Sequence, residues 1–192
     1  DGAELLFQNG QLLPEAKAAA TLKKMGTFLK NKSIDADGWT PKDRQEFDAK
    51  FGGLQKFSGE GANRRLLDAT ADAEENEFVK WSNSVNTAMK DNQIDDGEMA
   101  ELKGKLKELD STLDIGVDQR VKKGLENRKA VKAATEDGWI SVEEEQELKR
   151  RKVTDADVDA MIEKNKGERD FFEQAIRDGR VDADEAKRIK SM

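Results

Sequence analysis

Apolar residues recur along this chain with helical spacing. Between Ala62 and Met89, Phe78, Trp81, Val85 and Ala88 fall at i, i+3, i+7 and i+10, the stripe of a helix that buries one face. Between Val117 and Ala134 the stripe is Val117, Val121, Leu125, Val131 and Ala134. Between Val158 and Ile176 it is Val158, Met161, Ile162, Phe172 and Ile176, with Gly167 marking a bend or break. No comparable stretch alternates with period two, and the intervening segments are rich in Ala, Glu, Lys, Leu and Arg, all good helix formers. The pattern predicts an all-α fold.

A repeated turn punctuates these helices. The segments Asp37-Gly38-Trp39-Thr40, Asp91-Asn92-Gln93-Ile94, Asp137-Gly138-Trp139-Ile140 and Asp178-Gly179-Arg180-Val181 align with one another. In the last three, an alanine stands three residues earlier (Ala88, Ala134, Ala175), a capping residue follows (Asp95, Ser141, Asp182), and an acid lies three further on (Glu98, Glu144, Glu185). Seven residues past each cap come Leu102, Leu148 and Ile189. The first copy fits with Thr40 as the cap, Pro41 at the first helical position, Asp43 three on and Phe47 at plus seven. A fainter copy opens the chain at Asn9-Gly10-Gln11-Leu12. Gly or Asn tolerates the left-handed backbone that ends a helix. The capping residue and the acid three later form a capping box on the next helix, and the plus-seven residue returns to the same face.

The expected architecture is an array or bundle of about eight helices, arranged as four modules of long helix, Asp-Gly corner and short helix. The modules cover roughly residues 14–52, 62–109, 117–152 and 154–191. The spacings between the corner aspartates are 54, 46 and 41, which excludes a solenoid of fixed period. The expected domains are an N-terminal helical module over 1–52, a Gly-rich linker over 53–61 and a three-module helical domain over 62–192.

Composition narrows the function. Charged residues make up 39% of the 192 residues, with a net charge of −7. Leu, Ile, Val and Phe together account for 39 residues, about 20%, so the core is thin. The chain has neither cysteine nor histidine. That removes disulfides, thiolate metal sites, and the commonest general base and metal ligand. Most acids fall in first turns of expected helices, where they complement the helix dipole, and no phosphate-binding glycine motif occurs. The expectation is therefore no enzyme, no cofactor and no nucleic-acid partner, the last because an acidic chain supplies too little basic surface. No apolar run is long enough to span a membrane. Asp1 in place of an initiator Met points to processing or to a longer polypeptide. The expected location is the cytoplasm or the interior of a virion, and not that of a disulfide-stabilised secreted protein.

The run Asp-Gly-x-Ile-x-x-x-Glu resembles the second half of an EF-hand calcium loop. Asp137, Gly138, Ile140 and Glu144 match its positions five, six, eight and twelve. Asp178, Gly179, Val181 and Glu185 match them too, as do Asp91, Asn92, Ile94 and Glu98. The resemblance implies helix–corner–helix units of EF-hand geometry, and calcium as the ion. The first half of the loop departs from the pattern in these copies, which leaves about four oxygens of the six to eight that calcium takes. The first corner supplies Asp35 and Asp37, but Arg44 stands at position twelve, so a calcium site there needs a rearranged loop drawing on Asp43 or Glu46. Asp35, Asp37 and Asp43 are the candidate metal ligands. Trp39 and Trp139, just after corner glycines, are candidate interaction residues, either packing modules together or anchoring a partner.

These features point to a non-enzymatic helical structural or interaction protein, or a segment of a larger assembly protein. Its partners would be other proteins or further copies of itself. In composition it resembles the internal or ejected proteins of phage particles. The alternatives are a calcium-binding EF-hand-like regulatory module and a small acidic inhibitor protein.

Overall fold

The computed structural model describes residues 4–59, 61–177 and 179–191. Eight α-helices are present among them: α1 (Glu15–Ser33), α2 (Pro41–Phe51), α3 (Glu77–Ala88), α4 (Asp96–Leu109), α5 (Gln119–Thr135), α6 (Val142–Arg150), α7 (Ala156–Ile176) and α8 (Ala183–Ile189). The chain is mostly helical but not all-α. A four-stranded antiparallel sheet joins β1 (Leu6–Gln8), β2 (Gln11–Leu12), β3 (Leu54–Ser58) and β4 (Arg65–Asp68) in the order β2-β1-β3-β4.

The sheet corrects several expectations at once. Asn9 and Gly10 both have positive φ (53° and 76°) and form the two-residue turn of the β1–β2 hairpin, in which Gln8 pairs with Gln11. Asn-Gly between short apolar runs favours that mirror-image turn, so it does not form a helix corner here. Residues 53–61, expected to be a linker, contain β3, which pairs with β1 and β4 on its two sides. Helix α3 begins only at Glu77, after β4 and short 3₁₀ turns, so the stripe from Phe78 to Ala88 is helical and the residues before it are not. Gly167 does not interrupt α7.

The four corners form as their residues direct. Gly38, Asn92, Gly138 and Gly179 have φ of 64°, 61°, 75° and 73°. Reciprocal capping boxes join Thr40 to Asp43, Asp95 to Glu98, Ser141 to Glu144 and Asp182 to Glu185. Asp178 and the side chain of Ile176 lie outside the described residues. Ala88, Ala134 and Ala175 are buried, as are Phe47, Leu102 and Leu148 at plus seven.

The chain divides into two compact units, one of residues 1–90 and 95–122 and the other of residues 91–94 and 123–192. In the first, α1 and α2 share a core with the inner face of the sheet, built from Leu6, Leu54, Met25, Leu29, Phe47, Phe51 and Val79. In the second, Val131, Ala134, Ile140, Leu148 and Val158 form the core, with Val153, Met161 and Ile162 packed on it.

Candidate functional site

Of the candidate calcium ligands, Asp43 is committed to structural bonds, whereas Asp35 and Asp37 lie exposed. The Asp43 carboxylate accepts from Thr40 N (2.9 Å) and Thr40 Oγ1 (2.6 Å), and lies 3.0 Å from Lys32 Nζ. Burial works to raise the Asp43 carboxyl, but the Thr40 hydroxyl and the Lys32 ammonium hold it below its ordinary value. Asp35 Oδ1 accepts from Ala36 N at 2.7 Å, and Asp37 is exposed. Arg44, at the loop's twelfth position, pairs with Asp48 and Glu74. Among the described residues no three acidic side chains converge into a group able to hold a metal ion.

A cation does sit inside the first corner, and it is a guanidinium. Arg120, at the start of α5, donates to Ser33 O (2.7 Å), Ser82 Oγ (3.0 Å), Asn86 Oδ1 (2.7 Å) and both oxygens of Asp118 (Nε–Oδ1 3.1 Å, Nη2–Oδ2 2.7 Å). Asp118 is fully buried and also accepts from Trp81 Nε1 (3.1 Å) and Arg120 N (3.0 Å). Gly38 lies so close that a Cβ there would collide with the guanidinium and with Ser82 Oγ. Sequence reasoning missed Asp118 and Arg120. Their only local signal is an Asp-x-Arg at a helix start, which ordinary capping accounts for equally well.

A second feature is shared by the first three corners. There the residue just before the cap, partly buried as Trp39 and fully buried as Ile94 and Ile140, passes its N–H to a neighbouring helix. Trp39 N donates to Ser82 Oγ (2.8 Å) and Ile94 N to Gly124 O (3.3 Å). Ile140 N donates to the amide oxygen of buried Asn165 (2.8 Å). In the second unit Gln93 also bonds Asp155 (2.8 Å). Burial tends to raise the Asp155 carboxyl, but Gln93, the N–H groups of Val158 and Asp157, and Arg128 hold it low.

The two tryptophans differ. Trp39, half-buried, packs against the first unit's core, its ring centroid 6.5 Å from Phe28 and 6.1 Å from Phe47. Trp139 is half-buried, and its N–H donates to Asp137 Oδ1 at 2.9 Å.

The most unusual surface is the outer face of the sheet. Leu6 and Leu54 point into the core, so alternation turns Phe7, Leu12, Phe57 and Leu66 outward. The solvated face of an antiparallel sheet is ordinarily polar. Here Leu12 is 54% exposed, and Phe57 and Leu66 are exposed beside it, with Leu5 just before β1. Phe7 and Phe57 meet edge-to-face at 5.5 Å, and the Arg64 guanidinium lies 5.5 Å over the Phe57 ring. Among the described residues no helix is long and apolar enough to cross a membrane. Comparison with family models, curated proteins and solved structures finds no match.

Proposed function

We propose that this chain is a non-enzymatic structural and interaction protein whose contact surface is the outer face of the sheet. The observation that carries this reading is the grouping of Leu5, Phe7, Leu12, Phe57 and Leu66 on that side, away from the core. A contiguous exposed apolar patch marks an interaction site. The acids of the capping boxes and the Asp118–Arg120 tie hold helix ends and corners in place, which supports a scaffolding role. The charge-rich composition without Cys or His favours a setting within a large assembly, such as the interior of a phage particle.

The test is site-specific photo-crosslinking in expressing cells. A crosslinking residue at Phe57 is expected to give one discrete adduct, and the same residue at exposed Lys103 on α4 none. Equal labelling at both positions, or none at either, would overturn the reading.

A further inference from the structure

The two edges of the sheet are not alike. Strand β2 has two residues and runs into Pro14, which carries no N–H; short strands and prolines are how proteins blunt a sheet edge. Strand β4 has four residues and no proline, and Arg64, Arg65, Leu66 and Asp68 are all exposed. Its inner ladder follows from one bond. Ala69 N donates to Leu54 O (2.8 Å), and with Lys56 opposite Leu67 and Ser58 opposite Arg65, alternation directs the N–H and C=O of Leu66 outward together with Asp68 N–H.

We infer that β4 pairs with β4 of a second copy, antiparallel about Leu66, to join two sheets into one of eight strands. This rests on the interaction reading above and names the partner. In that register Leu66 faces Leu66 and exchanges two hydrogen bonds with it, while Asp68 N–H reaches the Arg64 carbonyl of the other copy at each end. Arg64 of each copy then lies directly opposite Asp68 of the other, on the outer face. Asp68 Oδ1 is taken by Thr70 N and Oγ1 (2.9 Å each), and Oδ2 remains to receive the guanidinium held over Phe57. Shifting the register one step either way loses this match. One shift sets Arg65 against Arg65, and the other sets Asp68 against Leu66. The outer apolar faces become continuous across the junction, as an isologous two-fold contact requires.

Sedimentation and light scattering of the 21.5 kDa chain test this. The wild type is expected to reach twice that mass at tens of micromolar. Arg64→Asp places like charges opposite each other at both ends and is expected to raise the dissociation constant about tenfold or more. Asp68→Arg does the same with the opposite sign. A one-to-one mixture of the two variants is expected to restore a dimer, because each then complements the other at both ends. Leu66→Pro removes an outward N–H that the inner ladder does not use, and is expected to give a monomer with unchanged circular dichroism. Since Asp68 also anchors Thr70, Arg64→Asp and Leu66→Pro decide the matter if Asp68→Arg misfolds. A wild type that stays monomeric, or folded single variants that dimerise as it does, overturns the pairing. If the wild type is monomeric while Phe57 still captures a different protein, self-pairing fails and the docking reading stands.

Discussion

Gly38 and Gly138 are each the middle residue of an Asp-Gly-Trp tripeptide and hold nearly the same backbone, yet their replacement by alanine should differ sharply in cost. At both positions φ is positive (64° and 75°), so a Cβ brings left-handed strain of roughly 1–2 kcal/mol. At Gly138 a Cβ meets nothing within 4 Å, and the strain is the whole effect. At Gly38 the Cβ falls 2.5 Å from Ser82 Oγ and collides with the Arg120 guanidinium. That group is held by Asp118, Ser33 and Asn86, so it has to give up bonds to retreat. Disrupting a buried ion pair costs about 3–5 kcal/mol, much of the 5–15 kcal/mol that holds a typical domain together. Gly38→Ala should therefore cost at least about 2 kcal/mol more than Gly138→Ala. Urea denaturation followed by tryptophan fluorescence measures both, with Trp139→Phe leaving only the first unit's Trp39 and Trp81 to report. Arg120→Met in the Gly38→Ala background completes the cycle. If the collision is the cause, the second substitution should cost far less there than in the wild type. Equal costs for the two glycines, or additive costs in the cycle, would refute the reasoning.

Ile94 and Ile140 are fully buried while their counterpart Val181 is 47% exposed; Ile94→Ala and Ile140→Ala should each lose about 2–5 kcal/mol and Val181→Ala under roughly 0.5, and a Val181→Ala loss comparable to the isoleucines in denaturation would contradict the exposure. Ser141→Ala and Asp95→Ala each break a reciprocal box and should cost about 1 kcal/mol, with faster amide exchange confined to the first turns of α6 and α4. Asp43 and Asp155 both titrate below their ordinary values, so their contribution is complete above the unfolded pKa near about 4 and is lost as pH falls through the folded values. The Asp43→Asn, Asp155→Asn variant should show a flatter fall of melting temperature between pH 5 and 3, about where carboxylates titrate, and an unchanged slope would reject that assignment. With Arg44 at the loop's twelfth position and Lys32 on Asp43, millimolar calcium should leave the melting temperature unmoved; a rise on titration would revive the metal reading.

The corners were legible in the sequence because capping is local chemistry. Thr40 with Asp43, Asp95 with Glu98, Ser141 with Glu144 and Asp182 with Glu185 each need only three residues of spacing to satisfy helix-end N–H groups. The sheet was not legible, because its strands are short and its decisive pairing is distant. Leu6 pairs with Lys56 and Gln8 with Leu54, and β1 and β3 each turn a single buried residue, Leu6 or Leu54, into the core. A two-residue period cannot build up over such lengths. Asn9-Gly10 carried the right turn chemistry, but both helix ends and hairpins use it, and only the strand on either side decides between them. Arg120 and Asp118 have no local signature. Their partners Ser33, Ser82 and Trp81 lie on other helices, and pairing of that kind appears only once the chain is folded.

The buried polar contacts also explain how a chain with so few large apolar residues holds specific corners. A thin core supplies little shape to tell one helix position from another. At the first corner, Ser82 accepts Trp39 N only while α3 lies in one place. At the third, Asn165 meets Ile140 N only with α7 in one rotation. Each bond contributes about 1 kcal/mol net, yet losing it strands a buried N–H at a cost of about 1–3 kcal/mol. The penalty falls on wrong arrangements more than the gain favours the right one. Registry is therefore set by three backbone donors, those of Trp39, Ile94 and Ile140, and their acceptors Ser82, Gly124 and Asn165. The side chains of Ile94 and Ile140 are fully buried and that of Trp39 packs partly buried on the core, so each position provides both stability and specificity for its corner. That division of labour leaves the exposed leucines and phenylalanines of the sheet free of any role in the inner core.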